Sequence, residues 1–204
     1  MPEQTILTLV RHGETLANIE GVWHGSTDTP LTELGLEQAA RVAAHLGERH
    51  RDAAALYSSD LQRAHDTARA IGGALDLEVR LDDELREYHL GSWEGIGYRE
   101  LYEKHRLWHH MRADPEFAPH GGETPREVVE RITRALERIA RAHPRERVIV
   151  VTHGGALSMT LGALLDDDYA SWGRVVENCA VSELSIEPEP RLLSFNQTEH
   201  LEGL

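Results

Sequence analysis

The sequence predicts an α/β fold, a three-layer α/β/α sandwich in which helices cover both faces of a mostly parallel central sheet. Short runs of apolar and β-branched residues alternate with longer segments whose apolar residues recur at helical spacing. The 204 residues fit one domain, and no repeat, linker or low-complexity segment divides them. We therefore expect residues 1–204 to form a single domain, with an irregular insertion at about 95–123.

The first half of the chain contains three predicted strands and two predicted helices. Two strands are predicted at 6–10 and 53–57, which are short apolar runs, and a third at 77–81, where apolar and charged residues alternate. One helix begins at Thr32 and ends at Gly47, and a second helix follows the second strand and ends at Gly72 and Gly73. Because a serine side chain can accept a hydrogen bond from the first turn of a helix, we expect Ser59 to cap the second helix.

The second half of the chain begins with the insertion, in which we expect one helix at about 98–111. A clear helix start follows, where Thr124 is the predicted cap, Pro125 occupies the first helical position and Glu127 completes a capping box. Pro144 ends that helix. The remaining predicted elements are a strand at 147–152, an apolar helix that ends at residue 165, and strands at 179–186 and 191–196.

The charge of the chain argues against several classes of partner. Its formal net charge of −14 disfavours nucleic acids and anionic membranes. A small phosphorylated substrate is still allowed, but its pocket must supply its own positive charge because distant charges are screened.

No apolar run reaches the roughly 18 residues of a membrane span, and the N-terminus lacks the features of a secretory signal. Since Cys179 is the single cysteine, no internal disulfide can form, and we expect a cytoplasmic protein.

Two of the predicted strands end in a His-Gly pair, His12-Gly13 and His153-Gly154. Since ligands bind beyond the carboxyl ends of parallel strands, we expect both histidines at that edge of the sheet. Arg63 lies on the first turn of its helix, where the free amides also favour an anion. Each signal alone has a structural alternative: a lone histidine at a strand end is usually structural, and an arginine can make an ordinary ion pair.

Seven sequence blocks carry a resemblance to a known family. They are 9–15 (LVRHGET), 28–32 (DTPLT), 57–61 (YSSDL), 85–87 (LRE), 93–95 (WEG), 121–124 (GGET) and 151–154 (VTHG). In this order they resemble the histidine phosphatase superfamily, also called the phosphoglycerate mutase-like family. The blocks at 85–95 and the tail at 196–201 are similar to its phosphatase branch. The resemblance implies the phosphoglycerate mutase-like sandwich and the hydrolysis of small phosphomonoesters.

The resemblance also implies a role for each matching catalytic residue. His12 would be the nucleophile that becomes phosphohistidine, while Arg11, Arg63 and His153 would bind the transferring phosphoryl group. Glu87 would act first as the general acid and then as the general base. No cofactor and no metal is implied, and the partner is a small phosphorylated substrate.

Four further residues are expected to bind the substrate or its phosphate. The resemblance places the Gly154 amide and Asn18 in the phosphate pocket, together with His24 and Gly25. His24 stands where many members of the family carry a glutamine. A histidine can still donate a hydrogen bond, so the contact that it makes is left open.

These residue types suit phosphoryl transfer. A neutral imidazole, whose ordinary pKa is about 6.5, is a usable nucleophile, and nearby arginines disfavour its protonation. Two guanidinium groups and a protonated His153 would neutralise the phosphoryl oxygens without magnesium. The leaving ester oxygen needs a proton, so Glu87 must hold one at that step, which a neighbouring phosphate dianion favours. Without the resemblance, a surface acid beside Arg86 is the simpler interpretation of Glu87.

Two alternative functions are disfavoured by the same residues. A phosphoglycerate mutase that uses 2,3-bisphosphoglycerate as its primer must keep its phosphoenzyme dry, which calls for a longer lid than residues 95–123 provide. Its acid loop also usually begins Asn-Glu-Arg, whereas this loop begins Leu-Arg-Glu. A catalytically inactive binding protein on the same fold would have lost the nucleophile or an arginine, and this chain keeps all of them.

The insertion is where we expect substrate selection, because loops at that edge surround the phosphate. His105, His109 and His110 lie on its predicted helix, but no close carboxylate or cysteine completes a metal site, so we favour a solvated or pocket-lining face. The substrate is left open among α-ribazole phosphate, phosphoserine, glucosyl-3-phosphoglycerate and a broad set of monoesters. Residues 117–122 have a short likeness to the glucosyl-3-phosphoglycerate group. A homodimer is common in the family, and the oligomeric state is left open.

Overall fold

The computed structural model describes residues 3–119, 121–169 and 173–204. In these ranges six strands form one sheet, in the spatial order β3-β2-β4-β1-β5-β6. The strands are β1 (Ile6–Arg11), β2 (Ala53–Ser58), β3 (Val79–Leu81), β4 (Arg147–Thr152), β5 (Val181–Ser185) and β6 (Arg191–Gln197). Strands β1, β2, β3 and β4 pair in parallel, whereas β5 and β6 add antiparallel pairs at one side. The predicted mostly parallel sheet is confirmed.

Helices cover both faces of the sheet. They are α1 (Leu16–Glu20), α2 (Glu33–Arg49), α3 (Gln62–Leu75), α4 (Tyr98–Glu103), α5 (Leu107–Ala113), α6 (Pro125–Ala142) and α7 (Gly154–Asp166). Alternate residues of β4 point to opposite faces, as the pleat of a strand requires. Val148 and Val150 pack with α6 and α7, whereas Ile149 and Val151 pack with α2 and α3. The three-layer sandwich is therefore confirmed.

The helix that we expected at 98–111 is two helices, α4 and α5. The chain turns between them at Arg106, whose φ of 48° lies in the left-handed region. Leu101 in α4 and Leu107 in α5 are both fully buried. In one continuous helix these two leucines, six positions apart, would point in directions about 120° apart. Breaking the helix allows both side chains to enter the core.

The bounds of α3 also differ from the expectation. Leu61, not Ser59, precedes its first residue, and the amide of Gln62 donates to Asp28 Oδ1 at 2.8 Å, so a carboxylate from a distant loop caps this helix. The helix continues past the two glycines to Leu75 and ends at Asp76, whose φ of 56° is left-handed.

The start of α6 is as predicted. Thr124 Oγ1 accepts from the Glu127 amide at 3.1 Å, and Glu127 Oε2 accepts from the Thr124 amide at 2.8 Å, with Pro125 in the first turn. The capping box is thereby confirmed. None of the helices in the described ranges combines the length and the apolar character that a bilayer crossing requires.

Replacing the cap tests the energetics of this helix start. Thr124→Ala should lower the free energy of unfolding by about 1 kcal/mol, because the Glu127 amide loses its acceptor. Thr124→Ser keeps a hydroxyl oxygen at the same place and should stay much closer to the wild type. Urea unfolding of the three proteins measures both differences. Equal losses for alanine and serine would show that the methyl group, not the hydrogen bond, matters here.

Candidate active site

A cleft of about 400 Å³ opens at the carboxyl edge of β1 and β4. The register of this pair places Arg11 opposite Thr152, so the residues that follow them, His12 and His153, come side by side. Their ring centroids are 5.1 Å apart. Seven of the predicted residues line the cleft: Arg11, His12, Asn18, His24, Arg63, Glu87 and Gly154. His153 and Gly25 are buried and are not among the residues that line the cleft.

His12 is held in the neutral form that nucleophilic attack requires. Its side chain is buried, with 4% of the residue exposed, and its Nδ1 lies 2.7 Å from the Gly13 carbonyl oxygen. A carbonyl oxygen can only accept, so Nδ1 carries the proton and Nε2 carries the lone pair. Burial lowers the pKa of His12 well below 6.5, and the positive charges of Arg63 and Arg11 lower it further.

His153 is neutral as well, and the expectation that it is protonated is wrong. Arg63 Nε donates to its Nδ1 at 3.2 Å, so that nitrogen carries no proton. The proton therefore lies on Nε2, which is 2.8 Å from Ser59 Oγ and donates to it. Burial lowers the pKa of His153 well below 6.5, and the positive charge of Arg63 lowers it further. A ring nitrogen that faces a guanidinium cannot carry a second positive charge at low cost.

Arg63 makes no ordinary ion pair in the described part of the chain. Only 2% of the residue is exposed, and its remaining hydrogen bonds go to backbone carbonyls of one loop. Nη1 donates to Thr27 O at 2.9 Å, and Nη2 donates to His24 O at 3.0 Å and to Gly25 O at 2.8 Å. Carbonyl dipoles solvate the guanidinium without cancelling its charge, so the charge is available to a ligand.

Glu94 fixes the loop that holds Arg63. Its carboxylate accepts four hydrogen bonds, from the amide and hydroxyl of Ser26 at 2.8 and 3.0 Å and from those of Thr27 at 3.1 and 2.8 Å. A Cβ on Gly25 would lie 2.2 Å from the Tyr88 carbonyl oxygen, so only glycine fits there. Gly25 thus contributes a carbonyl behind Arg63 and does not line the cleft.

Arg11 is the second cation of the cleft. Its Nη1 donates to the Val176 carbonyl oxygen at 2.6 Å, and its buried Nε has no partner among the described residues. The side chain passes directly over Gly154, where a Cβ would lie 3.0 Å from Arg11 Nε. The glycine after His153 therefore makes room for the guanidinium.

The amides at the start of α7 are divided between Glu87 and the cleft. Glu87 Oε2 accepts from the Gly155 amide at 2.9 Å, and Oε1 accepts from the Ala156 amide at 2.7 Å. The Gly154 amide, which is bonded to no described residue, is available to a ligand at the cleft. Arg86 instead forms a bidentate pair with Asp60, so Glu87 is not a surface acid beside Arg86.

Asn178 is a residue of the cleft that the sequence reasoning missed. Its Nδ2 donates to His12 O at 3.0 Å and to Asn18 Oδ1 at 3.2 Å. It shares the cleft wall with Asn18. Because β5 runs antiparallel to β1, the residues just before β5 lie at the carboxyl edge of β1. An asparagine just before the last strands was the signal available in the sequence.

The insertion supplies Tyr98 and Trp108 to the outer wall of the cleft. His105 lies between α4 and α5, with its ring 4.7 Å from the Trp93 ring, and the His110 ring stacks on Phe117 at 4.7 Å. The three histidines of the insertion therefore do not share one helix. Within the described ranges, no three His, Cys, Asp or Glu side chains come together as a metal site would require. The short likeness at 117–122 includes His120, which lies outside the described residues.

A family model matches almost the whole chain. The model of the histidine phosphatase superfamily (branch 1) matches residues 7–198. The chain belongs to this superfamily. The predicted family is therefore confirmed.

Individual relatives of this superfamily member are phosphatases. A metal-independent phosphoserine phosphatase of Arabidopsis thaliana is 43% identical over 160 residues, which cover 76% of this chain and 66% of the plant protein. A glucosyl-3-phosphoglycerate phosphatase of Mycobacterium tuberculosis is 35% identical over 178 residues, which cover 81% of this chain and 78% of that protein. The matched segment thus spans just under two thirds of the plant relative's length. These names agree with the phosphatase branch rather than with a mutase.

Solved structures agree with this placement. A complex of mycobacterial glucosyl-3-phosphoglycerate phosphatase with VO3 superposes with a TM-score of 0.83 at 34% identity, covering 95% of this chain and 99% of that chain. Phosphoserine phosphatase from Entamoeba histolytica, in complex with 3-phosphoglyceric acid, superposes with a TM-score of 0.85 at 29% identity, covering 97% and 99%. The predicted fold and phosphatase branch are confirmed.

The two buried imidazoles should make stability depend on pH. Their pKa values lie well below 6.5 in the folded protein, whereas in the unfolded chain they titrate near 6.5. Below pH 6.5 the unfolded chain therefore binds more protons, so the stability contributed by the neutral rings is lost as the pH falls. Each ring adds a slope of at most about 1.4 kcal/mol per pH unit.

Urea unfolding between pH 5 and 7 measures this slope. His153→Gln should flatten the dependence, because glutamine does not titrate, whereas the exposed His109→Gln should leave it much closer to the wild-type curve. A wild-type slope in the His153→Gln protein would contradict the neutral, buried ring.

Proposed function

We propose that this chain hydrolyses small phosphomonoesters through a phosphohistidine formed on His12 Nε2. One observation carries the proposal: a neutral imidazole lies in a cleft with two guanidinium groups, and in the described residues neither group is paired with a carboxylate. A phosphate ester supplies the negative charge that this arrangement lacks. The superfamily membership and the phosphatase relatives support the same reaction class.

The first step transfers the phosphoryl group to His12. The lone pair on Nε2 attacks phosphorus, the bond from phosphorus to the ester oxygen breaks, and its electron pair leaves with that oxygen. Glu87, as the carboxylic acid, donates the proton that makes the leaving group an alcohol. Arg11, Arg63 and the Gly154 amide bind the phosphoryl oxygens as the charge redistributes.

The second step regenerates the enzyme. Glu87, now a carboxylate, takes a proton from water, and the oxygen of that water attacks phosphorus opposite the imidazole. The bond between phosphorus and Nε2 breaks, which returns the lone pair to His12 and releases inorganic phosphate. His153 takes part as the acceptor that fixes Arg63 Nε rather than as a cation. Charge neutralisation on this route comes from the protein, so we propose that no metal or cofactor is needed.

The substrate class is a small monoester whose alcohol part fits beside the aromatic wall of the cleft. Tyr98 and Trp108 extend from the insertion into that wall, which supports a selecting role for residues 95–123. Phosphoserine and glucosyl-3-phosphoglycerate are the first compounds to test, because relatives are named for them. A panel of phosphomonoesters, ranked by kcat/KM, tests the substrate class directly.

We further propose a single cytoplasmic domain that works on a small molecule, without nucleic acid. The net charge of −14 supports the absence of a nucleic-acid partner. Burial raises the pKa of the Cys179 thiol to about 12, so the single cysteine is a poor candidate for disulfide chemistry. A homodimer is proposed from the family alone, and light scattering of the purified protein measures it.

Removing the nucleophile tests the proposal. His12→Ala should lower kcat by about 10⁴-fold or more and abolish an acid-labile phosphoenzyme, because it removes the proposed acceptor of phosphorus. His109→Ala, at an exposed position outside the cleft, is the matched control and should keep wild-type activity. EDTA should leave the rate unchanged. Loss of activity on chelation would contradict the proposed mechanism.

Replacing the acid tests its role in the first step. Glu87→Gln should lower kcat/KM by about 10²- to 10⁴-fold for alkyl phosphates, whose alkoxide leaves poorly without a proton. The loss should be much smaller for p-nitrophenyl phosphate, because its phenolate leaves unaided. The measured quantity is the ratio of kcat/KM for the two substrates. An unchanged ratio would remove Glu87 from the acid role.

A further inference from the structure

Arg131 lies on α6, outside the cleft, and three of its five hydrogen bonds hold the loop that carries Glu87. A guanidinium has five N–H groups, and five hydrogen bonds leave this one. Nη1 donates to Glu84 O at 2.8 Å and to Arg86 O at 2.9 Å, and Nη2 donates to Glu87 O at 3.3 Å. Arg131 thus binds three carbonyls within four successive residues, including that of Glu87 itself.

The fourth carbonyl of this segment is bound as well. Leu85 O accepts from Thr152 Oγ1 at 2.7 Å, and Thr152 is the last residue of β4. The backbone at 84–87 therefore has no regular strand or helix partner for these oxygens and depends on two side chains instead. One anchors the loop to the central sheet and the other anchors it to α6.

Glu123 fixes the orientation of the Arg131 fork. Its carboxylate accepts from Nε and Nη2 of Arg131, both at 2.8 Å, which is the bidentate geometry of the strongest Arg–carboxylate pairs. Glu123 Oε2 also accepts from the His89 amide at 3.1 Å, two residues after Glu87. Only 15% of the Arg131 side chain and 24% of the Glu123 side chain are exposed, so water competes weakly.

We infer that Arg131 is a positioning residue for the general acid. This inference rests on the proposed role of Glu87. The Glu87 carboxyl must reach the leaving oxygen at hydrogen-bond distance, and a displacement of about 1 Å can cost about 100-fold in rate. Arg131 does not touch the substrate in this scheme. It sets the backbone from which the Glu87 side chain reaches the α7 amides and the cleft.

Lysine and glutamine at position 131 separate positioning from charge. Arg131→Lys keeps the positive charge near His153 but loses the planar fork, so it cannot bind Glu123 and three carbonyls together. Arg131→Gln loses both. If the fork matters, both variants should lower the ratio of kcat/KM for an alkyl phosphate to that for p-nitrophenyl phosphate, by about 10- to 100-fold. The ratio is taken on one preparation, so partly unfolded protein cancels.

Arg134 provides the matched control on the same helix. It lies one turn further along α6, and its Nε pairs with the Glu84 side chain at 2.8 Å, with 59% of the Arg134 side chain exposed. It contacts the same loop through a carboxylate and not through the backbone carbonyls. Arg134→Gln should leave the alkyl-to-aryl ratio at its wild-type value.

Combining the variants tests whether Arg131 acts through Glu87. In the Glu87→Gln background, Arg131→Lys should lower kcat/KM for the alkyl phosphate by no more than about twofold, because the group that it positions is already absent. Equal slowing of both substrates by the Arg131 variants, or a full additive loss in the double variant, would overturn the inference. A Glu87→Gln protein with an unchanged ratio would instead overturn the proposed acid role, so the two failures are distinguishable.

Discussion

The cleft depends on a guanidinium that is buried without a carboxylate to neutralise it. Moving a charged group out of water is costly, and Arg63 offsets that cost with three carbonyl oxygens of one loop and a ring nitrogen of His153. Carbonyl dipoles stabilise the cation but leave its net charge in place. Burial lowers the pKa of both imidazoles, and the charge of Arg63 lowers it further. In the proposed function, the same charge attracts the phosphate dianion. In a chain of net charge −14, the cleft thus contains its own local positive charge.

The sheet brings these groups together because its register leaves little freedom. Pairing of β1 with β4 ends at Arg11 and Thr152, so the two histidines that follow must be neighbours. Helix α7 begins directly after His153, and its first amides therefore open into the same space. The Glu87 carboxylate accepts hydrogen bonds from two of those amides, Gly155 and Ala156, so the Gly154 amide is available to a ligand. One helix N-terminus thus holds the Glu87 carboxylate and, in the proposed function, also binds the phosphate.

Much of this arrangement follows from local sequence signals, and the rest does not. The strand-end histidines, the capping box at Thr124 and the parallel strands are encoded by residues close together in the chain. The neutral state of His153 depends on Arg63, which lies 90 positions away, and the cap of α3 is supplied by Asp28 from a distant loop. The break at Arg106 follows from the core that two short helices share. These three features depend on contacts between residues that are distant in the sequence, so no local sequence pattern predicts them.

Arg131 and the two arginines of the cleft contribute different properties to the site. Arg131 is paired with Glu123, which neutralises its charge. Its contribution is therefore the planar geometry of the guanidinium, which binds the backbone of the loop that carries Glu87. Arg63 and Arg11 have only carbonyl or ring partners among the described residues, so their positive charges are not neutralised by a carboxylate. With Glu87 as a carboxylate, these two cations leave the empty cleft with a net positive charge. A bound phosphate dianion would reverse the sign of that net charge. In the proposed mechanism, the loop held by Arg131 keeps the Glu87 carboxyl within reach of the leaving oxygen.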